Sequence, residues 1–255
     1  MALITTGSLL DFSVTPKKSL RSERFSFAEY SKLFGRKNSF TAFRELSRLI
    51  PPDSIELMRS KEPRGVALKS FELRQGFEWF LQNIWNSTNE IYFIAWAWDL
   101  SGMAPNYYPG DGTNPNDALI RIKVGNLREF IGTGLNLFPK RTVTGGIALR
   151  IQVWESDLRE RSFARAMEEA IDTIQNSDLN NLLNLISTAT GITGATITLI
   201  EKASLELAKL IGTILKANSD DYVDFFEGYY AADAPWTTGL DKYDGNSSTI
   251  VLDKY

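Results

Sequence analysis

The chain contains 255 residues, of which 43% are hydrophobic, so it is long and apolar enough to bury a full core. Its formal net charge of -3 provides no general attraction to nucleic acid, and we expect no nucleic-acid partner. The sequence has no cysteine and no histidine, which excludes thiol nucleophiles, Cys or His zinc sites and the Ser-His-Asp triad. Oxygen-ligand cations such as calcium remain compatible with this composition.

Residues 1–60 are expected to form an N-terminal arm followed by two short helices. Residues 1–24 carry several basic side chains and little apolar periodicity, which is typical of an arm that is either solvated or docked on a partner subunit. Apolar side chains at helical spacing predict the helices over residues 26–35 and 39–50. The first residues lack the features of a signal peptide, so we expect cytoplasmic synthesis, with delivery in a particle or non-classical export as the open routes.

The strongest strand signal in the chain is residues 90–99, with the sequence EIYFIAWAWD. Successive side chains of a strand point to opposite faces, and both faces are apolar here, which predicts a central strand covered on both sides. Residues 147–157 repeat this design, and both segments end on acidic residues. Further strands are predicted at residues 66–73, 120–124, 135–144 and 248–253. The apolar positions within residues 66–73 switch face midway, which predicts a β-bulge.

Residues 159–217 have a helical pattern without proline and interrupt a β-rich domain that we place at residues 61–255. Within them, residues 179–200 carry no charge, and Gly191 and Gly194 predict a break between two helices. One interpretation is a helical hairpin that packs on its own domain or on a neighbouring subunit. The alternative is a hairpin, residues 179–217, that inserts into a membrane after a trigger.

The acidic strand ends resemble those of C2-type β-sandwich domains, whose loops carry Asp and Glu for calcium. The matching segments are residues 92–99, residues 153–157 and the pair Asp220-Asp221. The resemblance implies an α+β fold, namely an antiparallel C2-like β-sandwich with N-terminal helices and an inserted α-helical hairpin. It also implies a calcium site formed by Asp99, Glu155, Asp157, Asp220 and Asp221 if the strand ends converge. The alternative is that these carboxylates only solvate the strand ends.

A second candidate site consists of exposed aromatic side chains. Tyr107 and Tyr108 lie in a Pro- and Gly-rich segment, residues 101–117, which predicts an irregular surface loop, and Trp236 lies in a similar segment. Together they could stack on a sugar, although core or interface packing is the alternative. Trp96 and Trp98 share one strand face, which indicates core positions.

No group of residues predicts catalysis. A carboxylate pair could in principle hydrolyse a glycoside, but the sequence does not show which two side chains meet. The glycine-rich residues 132–134 and 191–194 are not followed by the Lys-Ser/Thr of a phosphate loop. The sequence therefore favours a non-enzymatic structural or binding subunit of a larger assembly, which uses a β-sandwich scaffold and a helical hairpin for contacts with other protein subunits or with copies of itself. The predicted β-sandwich with added helices also resembles modules in subunits of bacterial toxins and phage-tail-like particles. The alternatives are a membrane-inserting pore-forming protein and a carbohydrate-binding module.

Overall fold

Two antiparallel β-sheets and three helices make up the part of the chain that the computed structural model describes, which is residues 5–6, 57–75, 88–110, 113–156, 160–186, 192, 194–217 and 220–255. The strands are β1 (Thr5–Thr6), β2 (Arg64–Leu73), β3 (Asn89–Trp98), β4 (Asn106–Tyr108), β5 (Ile120–Ile122), β6 (Leu127–Glu129), β7 (Leu135–Arg141), β8 (Gly146–Glu155), β9 (Asp221–Ala231), β10 (Gly239–Asp244) and β11 (Ser248–Lys254). The helices are α1 (Glu160–Gln175), α2 (Asp178–Ile186) and α3 (Gly194–Ala217).

The first sheet has the order β1-β9-β8-β3-β4, with β5 also paired to β3. The second sheet has the order β10-β11-β2-β6, with β7 also paired to β2. The sheets share one apolar core, and the helices cover the other face of the first sheet. The expected α+β architecture, a sandwich-like pair of antiparallel sheets with a helical insertion, is confirmed at this level of detail.

Strand β3 lies at the centre of these layers, as its two apolar faces predict. Ile91 and Phe93 face the core between the sheets, whereas Tyr92, Ile94 and the following alternate residues pack against the helices. Residues 91–98 are all buried, because the helices cover one face of β3 and the second sheet covers the other. Strand β8 pairs along one edge of β3, and β4 and β5 pair with residues 95–97 and 89–91 on the other edge. The prediction of a strand covered on both sides is therefore confirmed.

The helical block is packed on the first sheet through apolar contacts and two buried hydrogen bonds. The indole N–H of Trp96 donates to the hydroxyl of Ser204 at 3.0 Å, and Nε2 of Gln152 donates to the carbonyl of Ala208 at 2.9 Å. Helix α2 ends at Ile186 and α3 begins at Gly194, which agrees with the predicted break. Within the described residues, no helix combines the length and the apolar character that crossing a membrane requires.

The predicted bulge is present in β2. Val251 of β11 lies opposite Ser70 and Leu252 lies opposite Leu68, so Lys69 is the extra residue. This one-residue shift accounts for the change of face between the two halves of the strand.

Several elements differ from the sequence expectations. Strand β9 was not predicted, because the buried carboxylate of Asp224 interrupts its apolar pattern, and β10 was missed because its exposed, charged residues resemble a loop. The segment expected to be an irregular loop contains β4 and a short 3₁₀ turn, Pro115–Ala118. The helices predicted at residues 26–35 and 39–50 lie outside the described residues.

Candidate functional site

The acidic strand ends expected to converge lie at opposite ends of the first sheet. Strands β3 and β8 are antiparallel, and Glu155 at the end of β8 lies opposite Ile91 near the start of β3. Asp99 follows the other end of β3, eight residues beyond Ile91, which corresponds to about 27 Å of extended strand. Asp99 therefore cannot share a site with Glu155, and the prediction of one convergent site is wrong on this point.

The carboxylate of Asp99 is used within the protein. It is 1% exposed and accepts hydrogen bonds from Arg141 Nη2 at 3.1 Å, Ser101 Oγ at 2.6 Å and the backbone N–H of Thr144 at 3.1 Å. A charged guanidinium and neutral donors from Ser101 and Thr144 stabilise the buried charge. Asp99 thus fastens the exit of β3 to the segment that precedes β8.

The remaining acidic residues lie at the other end of the sheet. Asp221 pairs with Glu155, and the neighbouring Asp220 accepts a hydrogen bond from the Tyr92 hydroxyl at 2.5 Å. Burial is the main cause that raises the pKa of Tyr92 well above its usual value, and the charge of Asp220 raises it further. The hydroxyl therefore keeps its proton and remains a donor. Asp157 lies outside the described residues. Within the residues that are described, no three acidic side chains are grouped as a metal site requires.

Tyr107 and Tyr108 lie on β4, opposite Trp96 and Ala95 of β3. The Tyr107 hydroxyl accepts a hydrogen bond from Nε2 of Gln175 in α1, and Tyr108 packs against the core between the sheets. Burial, and secondarily the charge of Asp117, raise the pKa of Tyr108. The two tyrosines therefore hold β4 in place on its two faces.

Trp236 is not part of the same site as these tyrosines. It follows β9, whereas the tyrosines belong to β4, and strands β8 and β3 lie between β9 and β4 in the sheet. The predicted aromatic set is thus divided between two places, and Trp236 lies in a cavity of its own.

The cavity that contains Trp236 has a volume of about 600 Å³ and lies between the end of β9, the loop that follows it and strand β10. We call it the Trp236 cavity. Its aromatic lining residues are Tyr229, Tyr230, Trp236 and Tyr243. Its charged lining residues are Arg64, Asp241, Lys242 and Lys254.

Arg64 fixes the wall of the cavity. Its guanidinium is 3% exposed and donates to the carbonyls of Ala231 and Ala234, both at 2.8 Å. It lies 5.1 Å from the centre of the Trp236 ring, a cation-π distance, while Tyr230 meets the same ring edge-on at 5.6 Å. These contacts hold the loop after β9 and its tryptophan in one position.

The polar groups of the cavity centre on Asp241. Its carboxylate accepts hydrogen bonds from Lys254 Nζ at 2.8 Å and from the Tyr243 hydroxyl at 3.1 Å. Burial raises the pKa of Tyr243 to about 12 and also raises the pKa of Tyr230, so both hydroxyls keep their protons at neutral pH. The buried indole N–H of Trp236 has no hydrogen-bond acceptor among the described residues.

The sequence identified Trp236 but missed the charged residues around it. Arg64 belongs to β2, Asp241 to β10 and Lys254 to β11, so no local motif connects them. The aromatic and charged composition of residues 229–243 is the one signal that could have pointed to this region.

Comparison with known proteins adds no functional information. No family model matches the chain, and no curated protein is detectably similar to it.

Proposed function

We propose that the chain is a non-enzymatic binding subunit of a larger protein assembly and that it contacts its partner through the loop between β6 and β7. The observation that carries this proposal is Ile131, whose side chain is 99% exposed at residues 130–134. Leu127, on the adjoining strand β6, is 56% exposed. We infer that these two exposed apolar side chains contribute to an apolar contact surface, which is a mark of protein interaction sites.

The loop is held in shape by the body of the protein. Lys69, the bulge residue of β2, donates through Nζ to the carbonyls of Phe130 at 3.2 Å and Gly132 at 2.6 Å. Gly134 has a φ of 87°, and a Cβ atom there would meet the carbonyl oxygen of Leu68, so glycine is required.

The residue before the exposed isoleucine points the other way. The Phe130 ring packs edge-on against Phe93, with 6.2 Å between their centres, and thereby anchors the loop to the core between the sheets. A loop that is already ordered loses little conformational entropy on binding, which favours its use as a contact site. Ile131 would enter an apolar depression of the partner and lose its contact with water.

The finer features of this proposal follow the resemblance described above. We propose a C2-like outline for the sandwich and a role similar to that of subunits in toxin or phage-tail-like particles. Two antiparallel sheets with an inserted helical block support this proposal. The absence of cysteine and histidine supports a non-enzymatic role.

Site-specific crosslinking tests the proposal. Ile131 is replaced by a photoreactive phenylalanine analogue in the source cells, and the exposed Lys61 is replaced in a matched control. We expect one discrete protein adduct at position 131, either a second copy of this chain or another subunit, and no such adduct at position 61. Excess unlabelled protein should prevent its formation, whereas excess Ile131→Ser protein should not. The same diffuse adducts at both positions, or none, would show that the proposal is wrong.

A further inference from the structure

We propose that the Trp236 cavity binds a sugar that carries a carboxylate, such as a uronic acid unit of an acidic polysaccharide. This inference does not depend on the contact site at Ile131, because the two features lie on different parts of the second sheet. The cavity adjoins β10 and β11, whereas the Ile131 loop follows β6, on the other side of β2.

The size of the cavity suits one or two sugar rings. Its volume of about 600 Å³ lies within the range of about 300–1,000 Å³ that is usual for small-molecule sites. It is bounded by regular strands on two sides and by a loop that Arg64 fixes through two hydrogen bonds. A site of this kind needs little rearrangement on binding, which preserves affinity for a small ligand.

The lining offers both kinds of contact that a sugar uses. Aromatic rings pack against the apolar C–H faces of a pyranose, and four such rings line this cavity. The hydroxyls of Tyr230 and Tyr243 and the carboxylate of Asp241 can exchange hydrogen bonds with sugar hydroxyls.

The local charge favours an acidic sugar over a neutral one. Three basic residues line the cavity beside a single acidic one, although the chain as a whole has a net charge of -3. Lys254 and Asp241 form an ion pair at 2.8 Å, and the nearest acidic group to Arg64 in an ion pair is Glu62, at 3.8 Å and half exposed. The exposed Lys242 is therefore the cation that a carboxylate in the cavity can contact, and the buried Arg64 adds positive charge from behind the wall.

The test is a calorimetric titration of the full chain with galacturonate and glucuronate, as monosaccharides and as short oligomers. Glucose tests the sugar ring without charge, and acetate tests the carboxylate without the ring. We expect a uronate to bind at least tenfold more tightly than either glucose or acetate. Equal affinity for acetate, equal affinity for glucose, or no heat of binding with any uronate would overturn the proposal.

Two variants assign the binding to this cavity. Lys242→Ala removes an exposed side chain at the cavity, so the fold should be retained, and we expect uronate affinity to fall several-fold while the matched variant Lys61→Ala leaves it unchanged. Trp236→Phe keeps an aromatic ring but offers a smaller face for stacking, and we expect it to weaken binding of every sugar to a similar extent. Unchanged affinity in both cavity variants would place the uronate elsewhere and refute the assignment.

Discussion

Replacing Asp224 with alanine should strongly destabilise the protein, because this carboxylate joins the two sheets. Asp224 lies on β9 of the first sheet and is 0% exposed. It accepts hydrogen bonds from the backbone N–H groups of Asn246 and Ser247, both at 2.9 Å, and from the hydroxyl of Ser248 at 2.6 Å. All three donors belong to the connection between β10 and β11 in the second sheet and to the start of β11.

The expected cost follows from the donors that lose their acceptor. A buried donor left without a partner costs about 1–3 kcal/mol, and the N–H of Ser247 and the hydroxyl of Ser248 are buried, whereas the hydrogen bond from Asn246 is partly buried and costs less to lose. Some relaxation is expected, so we predict that Asp224→Ala lowers the free energy of unfolding by about 3–5 kcal/mol, which is comparable to breaking a buried ion pair. Asp224→Asn keeps the shape and one oxygen, and it should cost about half as much because an amide NH₂ group then faces a backbone donor.

Urea denaturation followed by tryptophan fluorescence and far-UV circular dichroism measures these differences. The exposed Asp233 provides the matched control, and Asp233→Ala should change the free energy of unfolding by about 0.5 kcal/mol or less. The dependence on urea should stay the same for all variants if only stability changes. A loss below about 1 kcal/mol for Asp224→Ala would show that these hydrogen bonds do not hold the sheets together.

Three further predictions concern the loop, the helical block and the cavity. Gly134→Ala should lower the melting temperature clearly more than Gly132→Ala, because both glycines have positive φ but a Cβ atom at position 134 alone would meet neighbouring backbone. Ser204→Ala should cost about 1–3 kcal/mol in urea denaturation and increase hydrogen exchange in α3, because the buried Trp96 indole loses its acceptor. An equal exchange rate in α3 would contradict this. The pKa of Tyr243, raised to about 12 from its ordinary value near 10, implies stabilisation that is complete below pH 10 and lost as the pH rises to 12. The urea midpoint of Tyr243→Phe should therefore fall less between pH 10 and 12 than that of the unmodified protein.

The layered core could be predicted because it depends on local patterns. The two apolar faces of β3 required a cover on each side, and the proline-free residues 159–217 supplied the helices for one of them. Strand β9 could not be identified in the same way. Its central Asp224 can be buried because donors from the β10–β11 hairpin form hydrogen bonds with its carboxylate. These donors lie more than 20 residues away in the sequence, and the local alternation of apolar residues contains no information about them.

The candidate sites also depend on contacts between distant segments, and they could be predicted less well than the core. Asp99 and Glu155 both lie at the C-terminal ends of their strands. The C-terminal ends of two paired strands meet only if the strands are parallel, and neither segment alone determines whether they are. The antiparallel pairing of β3 and β8 separated Asp99 from Glu155 by the length of a strand. The Trp236 cavity was hidden for a related reason, because its charged residues come from β2, β10 and β11.

Lys69 combines a local feature that the sequence reveals with a role that depends on the tertiary fold. The switch of apolar face in β2 identified a bulge, and a bulge changes the direction of the side chain at the extra residue. Only the position of β6 and β7 beside β2 brings the ammonium group of Lys69 onto the carbonyls of the loop that exposes Ile131. The bulge interrupts the pairing of β2 locally, and at the same time it helps to order a surface loop. An ordered loop loses less conformational entropy when it binds a partner, which matters if that loop is a contact site. Under the function proposed above, the bulge orders the loop that presents Ile131 to the partner.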